Sequence, residues 1–272
     1  MSSAIPFRPR SVSELVDAAF QLLRRHYAQF VMLMGIAYVP WLVIVMVTTR
    51  SLLGDPGAAA LEGGVARMML LAVGGLIWFS MIDGAMTVAA SQGYLGKDVD
   101  VGNAFQRAFA QIGALVGVAI VRGLVVALGF LLFVIPGFYL LARYFAAPAA
   151  VVLERVGIGR AMSRSSTLTD GYKWHVLKTL LLVWVIYLVL SIALAAIVGG
   201  ILAAVRTGGA ADNPISPSIM QVVSALFTIL IYPLVAIVQT LLYYDLRIRK
   251  EGYDIELMAG DLTGVPAGQP TY

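Results

Sequence analysis

Three charged residues lie inside long apolar runs of the sequence. Asp83, Arg122 and Arg143 are each the only charged residue of their run, in the ranges 68–96, 108–142 and 123–153. A charge at the centre of a bilayer costs at least about 2.5–3.5 kcal/mol, so a partner within the protein or a watery cavity is expected. A helical rise of about 1.5 Å per residue places Asp83 and Arg122 at a similar depth. We therefore predict an Asp83–Arg122 ion pair, with Arg143 directed towards helix carbonyls or a polar cavity.

Gln239 adds a fourth polar side chain in the inner half of the last apolar run. With Asp83, Arg122 and Arg143 it forms the candidate intramembrane polar site. Two interpretations are open for this group. It is either a buried ion pair that fixes the register of the helices, or part of a pathway along which a small solute or a lipid is transported.

Catalytic motifs are not found in the sequence. It has no G-x-x-x-x-G-K-[ST], no H-E-x-x-H and no G-x-S-x-G, and it contains no cysteine and only two histidines, His26 and His175. We therefore expect no catalytic residue, no metal site and no cofactor, although a membrane-embedded enzyme remains a third hypothesis. Both histidines are expected at the membrane interface.

The composition indicates an all-α membrane protein. Hydrophobic residues make up 60% of the 272 residues, charged residues make up 12%, and the mean hydropathy is +0.88. Because about 20 helical residues cross a hydrocarbon core, the chain is predicted to be a single polytopic helix bundle with six transmembrane helices. Pro136 and Gly137 divide the longest run into two of them. The predicted spans are 28–49, 68–92, 112–135, 138–153, 178–204 and 219–244.

The basic residues predict the orientation of the chain. Of its 19 Lys and Arg residues, 14 lie in the N-terminal segment, the loops after the second and fourth spans, and the tail 245–272. The opposite loops contain only Arg50, Arg67 and Arg206. This excess places both termini in the cytoplasm and the protein in the inner membrane. The net charge of +4 therefore reflects topology, and no nucleic-acid partner is expected.

Three cytoplasmic segments share a short amphipathic pattern, "VDAAF" at 16, "VGNAF" at 101 and "IGRAM" at 158. Each predicts a helix that lies at the membrane interface before an outgoing span, which gives three units of short helix plus helical hairpin. Ser11 and Glu14 have capping-box spacing, and Asp100 is a predicted N-cap. In the first of these helices, within 1–27, the apolar stripe is predicted to include Phe20 and Tyr27.

Two groups of residues carry predictions about packing. Small residues at four-residue spacing predict close helix contacts, at Gly113 and Gly117 and along Ser191, Ala195 and Gly199. Aromatic residues near the ends of the spans are expected at the membrane interface, among them Trp174, Tyr243 and Tyr244.

The stretch "YLLARYFAAPAAVVLE", followed by "GIGRAMSRSSTLTDGYKWHVLKTLLL", resembles the glycerophosphoryl diester phosphodiesterase membrane-domain family of bacterial integral membrane proteins. "RPRSVSELVDAAFQLLRRHY" and "LLYYDLRIRKEGYDIELM" extend the likeness to nearly the whole chain. The resemblance implies a membrane module without the catalytic domain. The matching positions are Arg143, Pro148, Glu154, Arg164, Gly171, Asp245, Arg247, Arg249, Glu251 and Gly252, while Ser165 and Ser166 stand where a tryptophan is expected.

Six of the charged residues form a candidate cytoplasmic interface: Glu154, Arg164, Asp245, Arg247, Arg249 and Glu251. They could be a recognition site, or a solvated helix exit with local charge pairs. The first functional hypothesis is a module that supports or regulates a lipid or envelope process, with membrane lipids as partners and a membrane or cytoplasmic protein as a further partner. The alternative is a small-solute or lipid transporter or permease subunit.

Overall fold

The computed structural model describes residues 8–53, 64–207 and 215–253. Within these ranges the secondary structure is entirely helical, as predicted. The helices are α1 (Val12–Arg25), α2 (Tyr27–Leu53), α3 (Gly64–Tyr94), α4 (Val101–Ala110), α5 (Ile112–Leu132), α6 (Val134–Arg143), α7 (Ala147–Glu154), α8 (Ile158–Thr169), α9 (Lys173–Thr207) and α10 (Ile215–Glu251).

Six helical segments in the described part of the chain are long and apolar enough to cross a membrane. Five of them lie in α2, α3, α5, α9 and α10, and the remaining one runs from Val134 to Glu154 through α6 and α7. The predicted multi-pass helical membrane protein is therefore confirmed. The helix bounds extend several predicted spans, most clearly in α10, which continues to Glu251 instead of ending at 244. Residues 254–272 of the predicted tail lie outside the described residues.

The fourth span differs from the prediction at both of its turns. The chain leaves α5 at Phe133, whose backbone is extended, and not at Pro136 and Gly137. Pro136 instead lies in the first turn of α6, where a missing N–H removes no helical bond. A second break at 144–146 separates α6 from α7, and Pro148 again occupies a first turn. Both prolines thus start helices and do not end them.

The three short amphipathic helices are α1, α4 and α8, and each precedes a helical hairpin in the order of the chain. Ser11 and Glu14 form the predicted capping box, and the side chain of Asp100 accepts the N–H of Asn103. Phe20 and Tyr27, predicted in the apolar stripe of the first helix, are both about two-fifths exposed. The alanine at the fourth position of each five-residue pattern lies on the buried face of its helix. These alanines are fully buried: Ala19, Ala104 and Ala161.

The protein core lies at one end of the bundle, which we call the charged end: α1, α4, α7, α8, the last turns of α3 and α10, and the first turns of α2 and α9. Along α3, the buried residues run mainly from Ile82 to Tyr94, whereas Met68, Leu70 and Val73 are more than half exposed. Exposed apolar side chains also cover much of α2, α5 and α9. A surface of this kind is stable only when hydrocarbon covers it.

Small residues pack closely at fewer places than predicted. A Cβ at Gly117 would overlap Cδ1 of Ile158, so the predicted close approach occurs there between α5 and α8. Gly113 and Gly199 have open space at the Cβ position, and Ala195 is exposed. The predicted close helix contact is therefore not seen at Ala195 and Gly199 among the described residues.

Candidate functional site

Asp83 has a partner that the sequence did not predict. The hydroxyl of Tyr232, in α10, donates a hydrogen bond to the Asp83 carboxylate in α3. These two helices run in the same direction and pack against each other. A tyrosine hydroxyl satisfies the carboxylate without placing a second charge beside it.

Arg122 does not form the predicted ion pair with Asp83. The two side chains attract each other electrostatically, but no carboxylate oxygen of the described residues lies within 4.0 Å of a guanidinium nitrogen of Arg122. Arg122 instead lines a cavity together with Tyr232 and Gln239. Three of the four residues predicted for the intramembrane site are thus close together, through Tyr232.

The cavity beside Arg122 has a volume of about 1090 Å³, and we call it the membrane cavity. Its walls come from α5, α6, α9, α10 and the turns next to α6 and α9. They are mainly apolar and include Phe138, Leu141, Phe145, Leu177, Leu180, Val183, Val235 and Val238. Ile135, Trp174 and Trp184 at its edge are 82%, 76% and 61% exposed. Because these side chains are exposed, the cavity opens onto the apolar outer surface of the bundle.

The length of the membrane cavity matches one leaflet of a bilayer. Along α9 it extends from Lys173 to Tyr187, which is about 21 Å at the helical rise. One leaflet, with its headgroup region, contributes about half of a bilayer that is roughly 40–45 Å thick. The cavity is therefore long enough for an acyl chain that enters from the charged end.

Arg143 lies apart from the other residues of the predicted intramembrane site. It lines a second, smaller cavity of about 380 Å³, which we call the basic pocket, with Tyr139, Ser166, Thr167, Asp170, Lys173 and Lys250. The expectation that Arg143 is directed towards a polar cavity agrees with this position. The backbone carbonyl of Arg143 also accepts hydrogen bonds from the hydroxyls of Ser165 and Thr169, 2.8 Å and 3.1 Å away, which joins the α6–α7 break to α8.

Four of the six predicted interface residues form one network around Arg164, which we call the Arg164 cluster: Glu154, Arg164, Arg247 and Glu251. The Arg164 guanidinium donates to both oxygens of Glu154, at 3.0 Å and 2.9 Å, and to both oxygens of Glu251. Arg247 donates to Glu251 at 3.1 Å, and the hydroxyl of Tyr243 donates to Glu154 at 2.5 Å. The cluster joins α7, α8 and α10.

The pKa of Arg164 shows how the network compensates for burial. Burial alone would lower the pKa of the Arg164 guanidinium, but the hydrogen bonds to Glu251 and Glu154 outweigh it and raise the pKa above its usual range. Arg164 is therefore charged at any physiological pH. The serine pair beside it, where the resemblance leads one to expect tryptophan, is divided: Ser165 is buried, whereas Ser166 lines the basic pocket.

The remaining two interface residues form a second network around Asp245. The Asp245 carboxylate accepts hydrogen bonds from the backbone N–H of Arg10 at 2.7 Å and from Nε of Arg249 at 2.7 Å, and it lies 3.1 Å from Nε2 of His175. Arg249 also donates to the carbonyl of Arg10 at 2.5 Å. This network joins the N-terminal segment to α9 and α10.

The alternative of a solvated helix exit fits these residues only in part: Lys250 is exposed, whereas Arg247, Arg249 and Glu251 are half-buried. The local charge pairs that it predicted do exist, between Asp245 and Arg249 and between Arg247 and Glu251. However, Asp245 is only 2% exposed, and each carboxylate also has partners on other helices. Tyr243 and Tyr244, predicted at the lipid interface, are likewise buried. These charges thus connect several helices at the charged end.

No group of three or more His, Asp and Glu side chains suited to a metal ion is found among the described residues. No protein-family model, curated protein or solved structure matches the chain. The likeness to the glycerophosphoryl diester phosphodiesterase membrane-domain family therefore stays a prediction, based on the sequence stretches quoted above.

Proposed function

We propose that this chain is a module of the cytoplasmic membrane, with both termini in the cytoplasm, that binds a membrane lipid and supports or regulates a lipid or envelope process without catalysing a reaction. Membership of the glycerophosphoryl diester phosphodiesterase membrane-domain family is part of the proposal. One observation carries it: the membrane cavity is apolar, open towards the surrounding lipid and as long as one leaflet.

The shape and chemistry of the membrane cavity support a lipid over a water-soluble ligand. Ligand sites are typically apolar concave surfaces with a few polar groups that fix orientation. Here those groups are Arg122, Tyr232 and Gln239, and the rest of the wall is mainly aliphatic and aromatic. An apolar cavity that is open to a bilayer fills with hydrocarbon, because water there would find too few hydrogen-bond partners.

The test is native mass spectrometry of the protein purified in native lipid nanodiscs. The wild-type protein should be released from the nanodisc with lipid still bound. Leu180→Trp should lose that lipid, because Leu180 lines the cavity and the larger side chain would fill it. Leu190→Trp is the matched control, since Leu190 lies on the same helix, is 38% exposed and does not line the cavity. Equal lipid retention by all three proteins would contradict the proposal, and so would wild type that retains no lipid.

A transporter or permease subunit is the second candidate, and the position of Arg122 and Gln239 on the cavity wall favours it. Neutralising a cation in a transport pathway is expected to change the rate of transport. In proteoliposomes loaded with candidate solutes or labelled lipids, a transporter would move a substrate, and Arg122→Gln would slow it. Absence of any flux with lipid still bound would favour the non-transporting module.

A further inference from the structure

We propose that the basic pocket and the membrane cavity form one site for an anionic glycerophospholipid, whose phosphate lies near Arg143 and Lys250 and whose acyl chain lies in the membrane cavity. This inference rests on the proposed lipid-binding function and names the lipid class. It differs from it in assigning a site for the headgroup.

The two cavities adjoin at the start of α9. Tyr139 and Lys173 line both of them, and Nζ of Lys173 lies 5.0 Å from the centre of the Tyr139 ring. Trp174 is next in the chain and 76% exposed, which is a typical position for an aromatic residue at the headgroup level. A single amphiphile could therefore place its polar part in the basic pocket and its apolar part in the membrane cavity.

The charge of the basic pocket favours an anion. Three basic side chains and one carboxylate line it, and Lys173 pairs with that carboxylate, Asp170, at 2.8 Å. Among the described residues, Arg143 and Lys250 have no carboxylate oxygen within 4.0 Å; Arg143 stacks on the Tyr144 ring, and Asp170 attracts Lys250 only from a longer distance. Two positive charges are thus left facing one concave surface.

The cations of the pocket differ from the other basic residues of the charged end. Arg164, Arg247 and Arg249 each form an ion pair with a carboxylate at 3.1 Å or less. Arg143 and Lys250 instead line a pocket that adjoins the membrane cavity. A guanidinium binds two phosphate oxygens at once, and an ammonium adds a compact charge, so together they suit a phosphodiester.

Two features of the basic pocket indicate the kind of headgroup: the hydroxyl groups of Ser166 and Thr167, and the N-terminal end of α9. Ser166 and Thr167 donate to the carbonyl of Ser163 at 2.8 Å and 3.2 Å, so their oxygen atoms remain as acceptors towards the pocket. Headgroup hydroxyls, such as those of phosphatidylglycerol, are suitable donors for them. The N-terminal end of the 35-residue α9 also lies at Lys173, where the helix dipole favours negative charge. A lipid with net negative charge therefore fits better than a zwitterionic one.

The test measures binding of phosphatidylglycerol and phosphatidylethanolamine to the delipidated full chain in detergent, by native mass spectrometry titration. Wild type should prefer phosphatidylglycerol. Arg143→Gln combined with Lys250→Gln should weaken the binding of phosphatidylglycerol about tenfold or more, since each lost charge-assisted hydrogen bond is worth about a factor of ten in affinity. The matched control is Arg160→Gln with Lys97→Gln, which removes the same charge from two exposed positions outside both cavities and should bind like wild type.

Each other outcome identifies which proposal fails. If the pocket variant binds phosphatidylglycerol as tightly as wild type while Leu180→Trp does not bind it, the headgroup assignment is overturned and the lipid-binding function stands. If inorganic phosphate alone stabilises wild type against heat as much as the lipid does, the basic pocket is a simple anion site and the inference is wrong. If wild type binds neither lipid, both proposals fail. Equal thermal stability of the two double variants shows that misfolding is not the cause.

Discussion

The guanidinium of Arg164 is the point where three helices meet, because it binds Glu154 at the end of α7 and Glu251 at the end of α10 from its own position in α8. Its side chain is 27% exposed, so water only partly screens these bonds. Removing it would leave two carboxylates close together with Arg247 as their remaining cation.

Arg164→Met is therefore expected to destabilise the protein by about 1–3 kcal/mol, which is the range for lost hydrogen bonds between charged groups that are partly buried. Thermal or chemical unfolding of the purified protein in detergent measures this change. Arg160→Met is the control, because Arg160 lies on the same helix and is exposed. Unfolding curves that coincide for the two variants would show that the Arg164 cluster does not hold the helices together.

The side-chain contacts differ in how far the sequence could predict them. The Ser11 capping box and the Asp100 N-cap depend on residues within three positions of each other, so their spacing was sufficient. The Tyr232–Asp83 bond joins residues 149 positions apart, and it depends on which helices become neighbours. Opposite charge alone suggested Arg122 as the partner of Asp83. A neutral tyrosine hydroxyl can also satisfy a carboxylate, but nothing in its sequence position indicates that it does.

Among the helices, α3 depends most clearly on a single small residue. A Cβ at Gly84 would lie 2.6 Å from Cδ1 of Leu115, 3.3 Å from Cβ of Ala108 and 3.4 Å from Cγ2 of Val152. These three neighbours belong to α5, α4 and α7, so four helices converge at this glycine. The leucine side chain can rotate away, but the Ala108 methyl group moves only with its backbone.

Gly84→Val is expected to destabilise the protein by about 1–3 kcal/mol, the usual cost of overpacking a tight site. Gly113→Val is the matched change, because Gly113 has open space at its Cβ position and lies in a helix. There the effect should be close to zero. Unfolding of both variants in the same detergent tests the difference, and a Gly84→Val protein as stable as Gly113→Val would disprove the convergence.

The helices themselves were predictable because apolar length and amphipathic period are local properties. Their breaks were not, because the same residue type has two uses. Pro136 was expected to end a helix, yet both Pro136 and Pro148 lie in first turns, where proline is well tolerated. Whether a proline starts or ends a helix depends on where the preceding backbone carbonyls find hydrogen-bond partners. Neighbouring helices supply those partners. The hydroxyl of Ser165, which binds at the α6–α7 break, lies 22 positions from Arg143.

The arrangement of the protein in the membrane can be tested in its natural sequence background, which contains no cysteine. The proposed orientation places the loop at Lys97 in the cytoplasm and the segment at Asp55 outside. Lys97→Cys should react with a membrane-impermeant maleimide only after the cells are opened, and Asp55→Cys should react in intact cells. The opposite pattern would invert the orientation, while identical accessibility of both positions would contradict a span between them.

The candidate sites were only partly visible in the sequence for a reason that concerns the entire bundle. Asp83, Arg122 and Gln239 stand out as polar residues among apolar ones, and all three are found near Tyr232 or the cavity beside it. Arg143 stands out in the same way but lies in the basic pocket. Depth counted along a helix could not separate these locations, because it does not specify which side of the bundle a side chain faces.

The Asp245 network links residues near the two ends of the chain, since Arg10 binds a side chain 235 positions later. A ribosome makes Arg10 and His175 long before it makes Asp245, so a nascent polypeptide carries these groups without their carboxylate until the last helix has emerged. The contact between the N-terminal segment and Asp245 therefore forms only after α10 has been synthesised, so a chain truncated before Asp245 would lack it.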